Sequence, residues 1–178
     1  MNQLPVIVIG HSATAMGASS SDGKLYEYQY NVQLSKLISS KIQCNVVDKT
    51  GFMQSQINSI VNQLQPTCVV ELHSNAFDGS ISGTEVLMTY STFNSNKLGN
   101  LLLNGLYACL GRQGKDKRGL LALQPSDRGF NNICKIQAPM CLIEPFFIDS
   151  VQDCQLGIDK QNDIAEAIKS AIISFLSI

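Results

Sequence analysis

The sequence predicts an α/β fold: a mixed, mostly parallel twisted sheet of about six strands, flanked by helices on both faces. Three observations carry this expectation. Short apolar runs alternate with longer amphipathic stripes, the pattern of strands joined by helices. The 178 residues leave room for a single domain, read over 1–178, with no repeat, linker or low-complexity stretch. Hydrophobic residues make up 44% and charged residues only 15%, so polarity rests on 19 Ser, 13 Asn and 14 Gln, a globular composition rather than a disordered one.

Residues 5–9, apolar, branched and followed by Gly10 and His11, read as a buried first strand. A small polar loop over 12–23 follows. Tyr30, Leu34, Leu37, Ile38 and Ile42 then fall on one face of a helix. Residues 44–47 give the second strand. Ile57, Ile60, Val61 and Leu64 mark a second helix, which stops before Pro66. Strands follow over 67–72 and 83–88. A third helix carries Leu98, Leu101, Leu102, Leu106, Cys109 and Leu110 and closes near Gly111. Residues 112–135 are rich in Gly, Lys, Arg and Asp and offer only a short strand over 120–123. A last strand over 140–143 precedes a C-terminal helix marked by Ile164, Ile168, Ala171, Ile172 and Phe175.

Composition also excludes some functions. Thirteen basic and fourteen acidic residues, with no basic block and no Trp, argue against a nucleic-acid binder that works by neutralising phosphates. No apolar run approaches the roughly 18 residues of a membrane span. The opening Met1-Asn2-Gln3-Leu4-Pro5 lacks a cationic stretch leading into an apolar segment, so the expectation is synthesis in the cytoplasm without a secretory signal. Six scattered cysteines without a CxxC pair read as reduced, small hydrophobes.

Three apolar strands end in residues able to do chemistry. The first leads to His11, the third through Glu71 to His73, and the last to Glu144. In open parallel sheets ligands bind outside the carboxyl ends of the strands, so these groups converge on one edge. Glu27 joins them from the core-facing stripe of the first helix, three residues before Tyr30 and seven before Leu34. A carboxylate there needs a partner, and no Lys or Arg shares the stripe. The chain has only two histidines and five glutamates, and four of the glutamates (Glu27, Glu71, Glu85, Glu144) lie at these places or in the neighbouring Gly83-Thr84-Glu85 segment.

Either histidine alone reads as a satisfied structural group. The two together with Glu27 read as a catalytic zinc site, a His2Glu donor set that leaves a position open for water. Bound zinc lowers the pKa of that water toward about 7, and Glu144 is the free carboxylate placed to move the protons of amide hydrolysis. The competing reading for Glu144 is an ion pair with Arg118 or Arg128. Glu71 shares a face with His73 and is either a group that orients this ligand or a rival base; orientation is preferred. Asn75 and Glu85 read as cleft residues, with capping or turn roles as the alternative. Gly10-His11-Ser12 is not a nucleophile elbow, because position 14 is Thr and the second glycine is missing.

At these residues the chain resembles the zinc-dependent N-acetylmuramoyl-L-alanine amidases called Amidase_3. The matching pieces, in order, are Ile9-Gly-His-Ser12, Gly23-Lys-Leu-Tyr-Glu27, Val70-Glu-Leu-His-Ser-Asn-Ala76, Ser82-Gly-Thr-Glu-Val86 and Ala138-Pro-Met-Cys-Leu-Ile-Glu-Pro-Phe-Phe147. The resemblance implies zinc on His11, Glu27 and His73, Glu144 as the catalytic glutamate, and a six-stranded mixed sheet. It implies peptidoglycan as substrate, cut between the lactyl group of N-acetylmuramic acid and L-alanine. The chain departs from the family pattern at Val8-Ile9, where Asp-Pro is common, and at Glu71, where Ser is common. Arg118-Gly119-Leu120 resembles the family's Arg-Gly segment but lies farther from Glu144. The stretch between His73 and Glu144 is too short for the regulatory helix of division-linked members, so activity without a partner protein is expected. A monomeric phage lysis enzyme acting on the cell wall after release fits this reading. Its rivals are a zinc peptidase or amidohydrolase acting on a small soluble amide, and a noncatalytic peptidoglycan-binding module.

Overall fold

Six strands build one sheet in the computed structural model, which describes residues 3–89, 92–127 and 129–177. The strands are β1 (Val6–Ile9), β2 (Asn45–Asp48), β3 (Val69–Leu72), β4 (Thr84–Thr89), β5 (Lys117–Leu123) and β6 (Met140–Glu144), in the order β2-β1-β3-β6-β4-β5. The first four of that order are mutually parallel. β4 runs antiparallel to β6 and parallel to β5, so the sheet is mixed and mostly parallel, as the sequence predicts.

Alternation along each strand divides the core in two. Ile7, Val70, Leu72, Val86, Met88, Cys141 and Ile143 face one side. That side is covered by α1 (Glu27–Lys41), α3 (Phe93–Cys109), α5 (Val151–Asp159) and α6 (Gln161–Leu176). Val6, Val8, Val69, Leu87, Met140 and Leu142 face the other, under α2 (Gln54–Gln63) and the single turn α4 (Phe130–Ile133). Each fully buried Leu, Ile or Val contributes about 1.5–3 kcal/mol. Among the described residues no helix is long and apolar enough to cross a membrane. The six cysteines carry no disulfide, and burial pushes the Cys68 thiol up to about 12.

The helices α4 and α5 escape the sequence reading, and one strand is longer than predicted. The buried residues of α5 are Asp153, Cys154 and Gly157, which leave no apolar period to read. Gly157 is small because the Phe146 ring lies against it; a Cβ there would sit 2.5 Å from that ring. The short α4 was likewise not foreseen. The strand predicted over 120–123 begins at Lys117, because β5 is an edge strand whose early residues face solvent. Arg128, one predicted partner of Glu144, lies outside the described residues.

Candidate active site

Position 27 opens α1. The Gln29 side chain accepts from the backbone N–H of Tyr26 at 3.1 Å, which starts the helix and leaves Glu27 in its first turn. A carboxylate there meets the positive end of the helix dipole, an effect of about 0.3–1 kcal/mol. Glu27 is only 4% exposed. Its Oε2 accepts from the backbone N–H of Ala18 at 2.8 Å, and its Oε1 from that of Ser74 at 2.9 Å. Both oxygens are thus held from behind while facing the histidines.

His11 follows β1 with φ at 65°, a left-handed conformation that is costly for a side chain with a Cβ and is found where function fixes the geometry. Its Nε2 lies 3.1 Å from Glu27 Oε2. His73, just past β3, places Nδ1 3.5 Å from Glu27 Oε1. The two rings are 5.0 Å apart, edge to face. One ligand atom from each of His11, Glu27 and His73 falls within 4.8 Å of the others, a group able to hold a metal ion. Two imidazoles and a carboxylate are the donor set that suits zinc. Gly17, at φ +77°, makes room for it: a Cβ there would lie 2.6 Å from both Glu27 Oε2 and the His11 ring.

The three donors lie in a cleft of about 400 Å³ that is also lined by Asn75, Glu85 and Glu144. Glu144 ends β6 and is paired in register with Glu85 near the start of the antiparallel β4. Burial, reinforced by the hydrogen-bonded Glu85 carboxyl and its charge, pushes Glu144 up to about 8. Glu85 accepts from Asn75 Nδ2 at 2.7 Å and from Arg118 Nε at 2.6 Å. Arg118 therefore pairs with Glu85, which corrects the reading that gave it to Glu144. The Ser12 hydroxyl bonds Thr14 at 3.3 Å and the Ala15 N–H at 3.1 Å, a turn role.

Residues 6–174 match the family Amidase_3, N-acetylmuramoyl-L-alanine amidase. The chain belongs to this family. No curated protein sequence matches it. Among solved structures, the amidase resembles the catalytic domain of CwlV, an N-acetylmuramoyl-L-alanine amidase from Bacillus (Paenibacillus) polymyxa var. colistinus. They share 23% identity at a TM-score of 0.84, over 99% of each chain. It resembles the N-acetylmuramoyl-L-alanine amidase of Clostridium difficile 630 at 22% identity and a TM-score of 0.86, over 99% of this chain and 98% of that one. It also resembles the catalytic domain of the CD27L endolysin targeting Clostridia difficile, at 22% identity and 0.78, over 97% and 98%. These likenesses establish a shared fold.

Glu71 is the one predicted site residue that stands outside the cleft of this amidase. It accepts from Lys49 and lies 2.9 Å from His73 Nε2, the nitrogen turned away from Glu27. Burial opposes its charge, yet the hydrogen bond from His73 and the Lys49 ammonium bring it down to about 2.

The sequence reading also missed a buried clamp next to Glu144. Arg112 Nη1 meets Asp153 Oδ1 at 2.5 Å, Nη2 donates to the Pro145 carbonyl at 2.9 Å and Nε to Thr84 Oγ1 at 2.8 Å. Asp153 Oδ2 accepts from the N–H groups of Gly83 and Phe147, at 3.0 and 2.9 Å. The clamp thereby ties the chain after Glu144 to the start of β4, where Glu85 sits.

Proposed function

We propose that this amidase hydrolyses the amide between the lactyl group of N-acetylmuramic acid and L-alanine in peptidoglycan. A zinc-type divalent cation is held by His11, Glu27 and His73, and Glu144 is the catalytic residue. The observation that carries this reading is the meeting of the three donors in the cleft that Glu144 also lines. When bound, the cation supplies a Lewis acid for the carbonyl and makes water acidic enough to ionise near neutral pH.

The protein does the rest. The backbone N–H groups of Ala18 and Ser74 keep Glu27 from swinging out of the donor set. Glu144 takes the proton of the attacking water and returns it to the departing alanine nitrogen, for which a carboxyl poised close to working pH is suited. Asn75 and Arg118 fix Glu85 beside it.

Glu144 acts first as a base and must be ionised to start a turnover. Its raised pKa places an acid limb on the rate, with activity falling as pH drops through the Glu144 pKa. Replacing the neighbouring charge in Glu85→Gln lowers that pKa and moves the limb to lower pH. A pH–rate profile of the variant checks this, and an unmoved limb would count against the coupling.

The reaction itself is tested on purified peptidoglycan, by counting stem peptides released with free L-alanine amino termini before and after chelation. New amino termini that vanish with the metal support the proposal. Saturable wall binding without them points to a noncatalytic module, and turnover confined to small soluble amides points to another zinc hydrolase. Activity is expected from this chain alone, as a single catalytic domain over 1–178, without a partner protein. We also propose a phage lysis role, with synthesis in the host cytoplasm and release to the wall; its support is the likeness to an endolysin catalytic domain. Lysis on co-expression with a membrane-holing protein, and none without it, is the expected result.

A further inference from the structure

Behind His73 lies a charge pair that the reaction does not use directly. Lys49, one residue past β2, and Glu71, in β3, are separated in the sheet by β1, yet their side chains meet. Glu71 is 1% exposed and Lys49 9%. The Glu71 oxygen that accepts from Lys49 is the one that faces His73 Nε2. Lys49 Nζ also lies 3.4 Å from Gln54 Oε1. The ring is confined as well, since a Cβ on Gly10 would come within 2.7 Å of His73 Nε2.

A neutral imidazole carries one N–H donor and one lone pair, and the hydrogen bond at one nitrogen decides which is which. A carboxylate only accepts. Carboxylates face both nitrogens, Glu71 at 2.9 Å from Nε2 and Glu27 at 3.5 Å from Nδ1, so in the neutral ring the closer Glu71 favours the proton on Nε2 and leaves the lone pair of Nδ1 toward Glu27 and the other donors. We propose that Glu71 and Lys49 are a positioning pair for His73: Glu71 selects the tautomer that binds a cation, and Lys49 keeps the carboxylate seated where it can do so. Ligand-orienting carboxylates of this kind change metal affinity by about 10–100-fold. The inference rests on the metal reading of the site but concerns a different property of it, the strength of binding rather than the reaction.

The test measures Zn²⁺ affinity of the full chain by competition with a chromophoric chelator, alongside ¹⁵N spectra of the histidine rings of the zinc-loaded protein. Glu71→Gln and Lys49→Met are each expected to weaken Zn²⁺ binding by about 10–100-fold. Lys49→Arg, which keeps the cation beside an open cleft of about 240 Å³, is expected to restore it. The doubly neutral Lys49→Met/Glu71→Gln chain avoids leaving one buried charge alone, and it too is expected to bind weakly. The wild type is expected to hold His73 as the Nε2–H tautomer. Wild-type affinity in the double variant, or a His73 proton on Nδ1, would overturn the inference and leave the proposed reaction standing. A wild type that binds no Zn²⁺ would overturn both.

Discussion

Glu144→Gln is expected to lower kcat on peptidoglycan by about 10²–10⁴-fold, the usual contribution of a positioned acid–base group. The amide neither accepts a proton from water nor returns one to the leaving nitrogen. The variant is nonetheless expected to fold and to keep its metal, because Glu144 is not among the three donors gathered at Glu27. Its carboxyl sits against Glu85, a like-charged neighbour whose presence raises its pKa. At neutral pH the wild type must keep this buried carboxyl largely protonated, a cost that a neutral amide does not carry, so the variant is expected to be at least as stable as the wild type. The check is the rate of amino-terminus release, with metal content and urea midpoint measured on the same preparation. Near-normal turnover by a metal-loaded Glu144→Gln chain would remove this residue from the mechanism.

The largest loss of stability is expected at Asp153→Asn. The change leaves the Arg112 guanidinium buried without a counter-charge, and sets an amide NH2 against groups that already donate: Arg112 itself or the N–H groups of Gly83 and Phe147. Breaking a buried pair from one side costs about 3–5 kcal/mol, mostly because the remaining charge is stranded. Urea unfolding measures it. Arg112→Met/Asp153→Asn, with both charges gone, is expected to recover much of the loss. A single-variant change below about 1 kcal/mol would mean that solvent reaches the clamp, against the 4% and 3% exposure of the two residues.

The fold and the centre of the site were legible because their signals are local. His11 and His73 are the only histidines, and both follow apolar strands, so their convergence needed nothing beyond the strand-end rule for parallel sheets. Glu27 was legible from helical spacing alone. What escaped depends on strand order and direction. Lys49 reaches Glu71 only because β1 separates β2 from β3 in the sheet. Arg118 pairs with Glu85 rather than Glu144 because β4 runs against β6 and lies between it and β5, which carries the arginine. Asp153 was hidden in a helix whose buried face is made of Asp, Cys and Gly, with no large apolar residue to mark it. A buried ion pair between segments far apart in the chain leaves no periodic trace in either one.

Whether His11, Glu27 and His73 hold a metal is decided by metal content per chain, measured by elemental analysis on the wild type and on His11→Ala, Glu27→Ala and His73→Ala. One divalent ion per wild-type chain is expected and far less in each variant, with peptidoglycan hydrolysis following the metal. Wild-type metal content in the three variants, or undiminished hydrolysis by the fully stripped protein, would contradict this expectation.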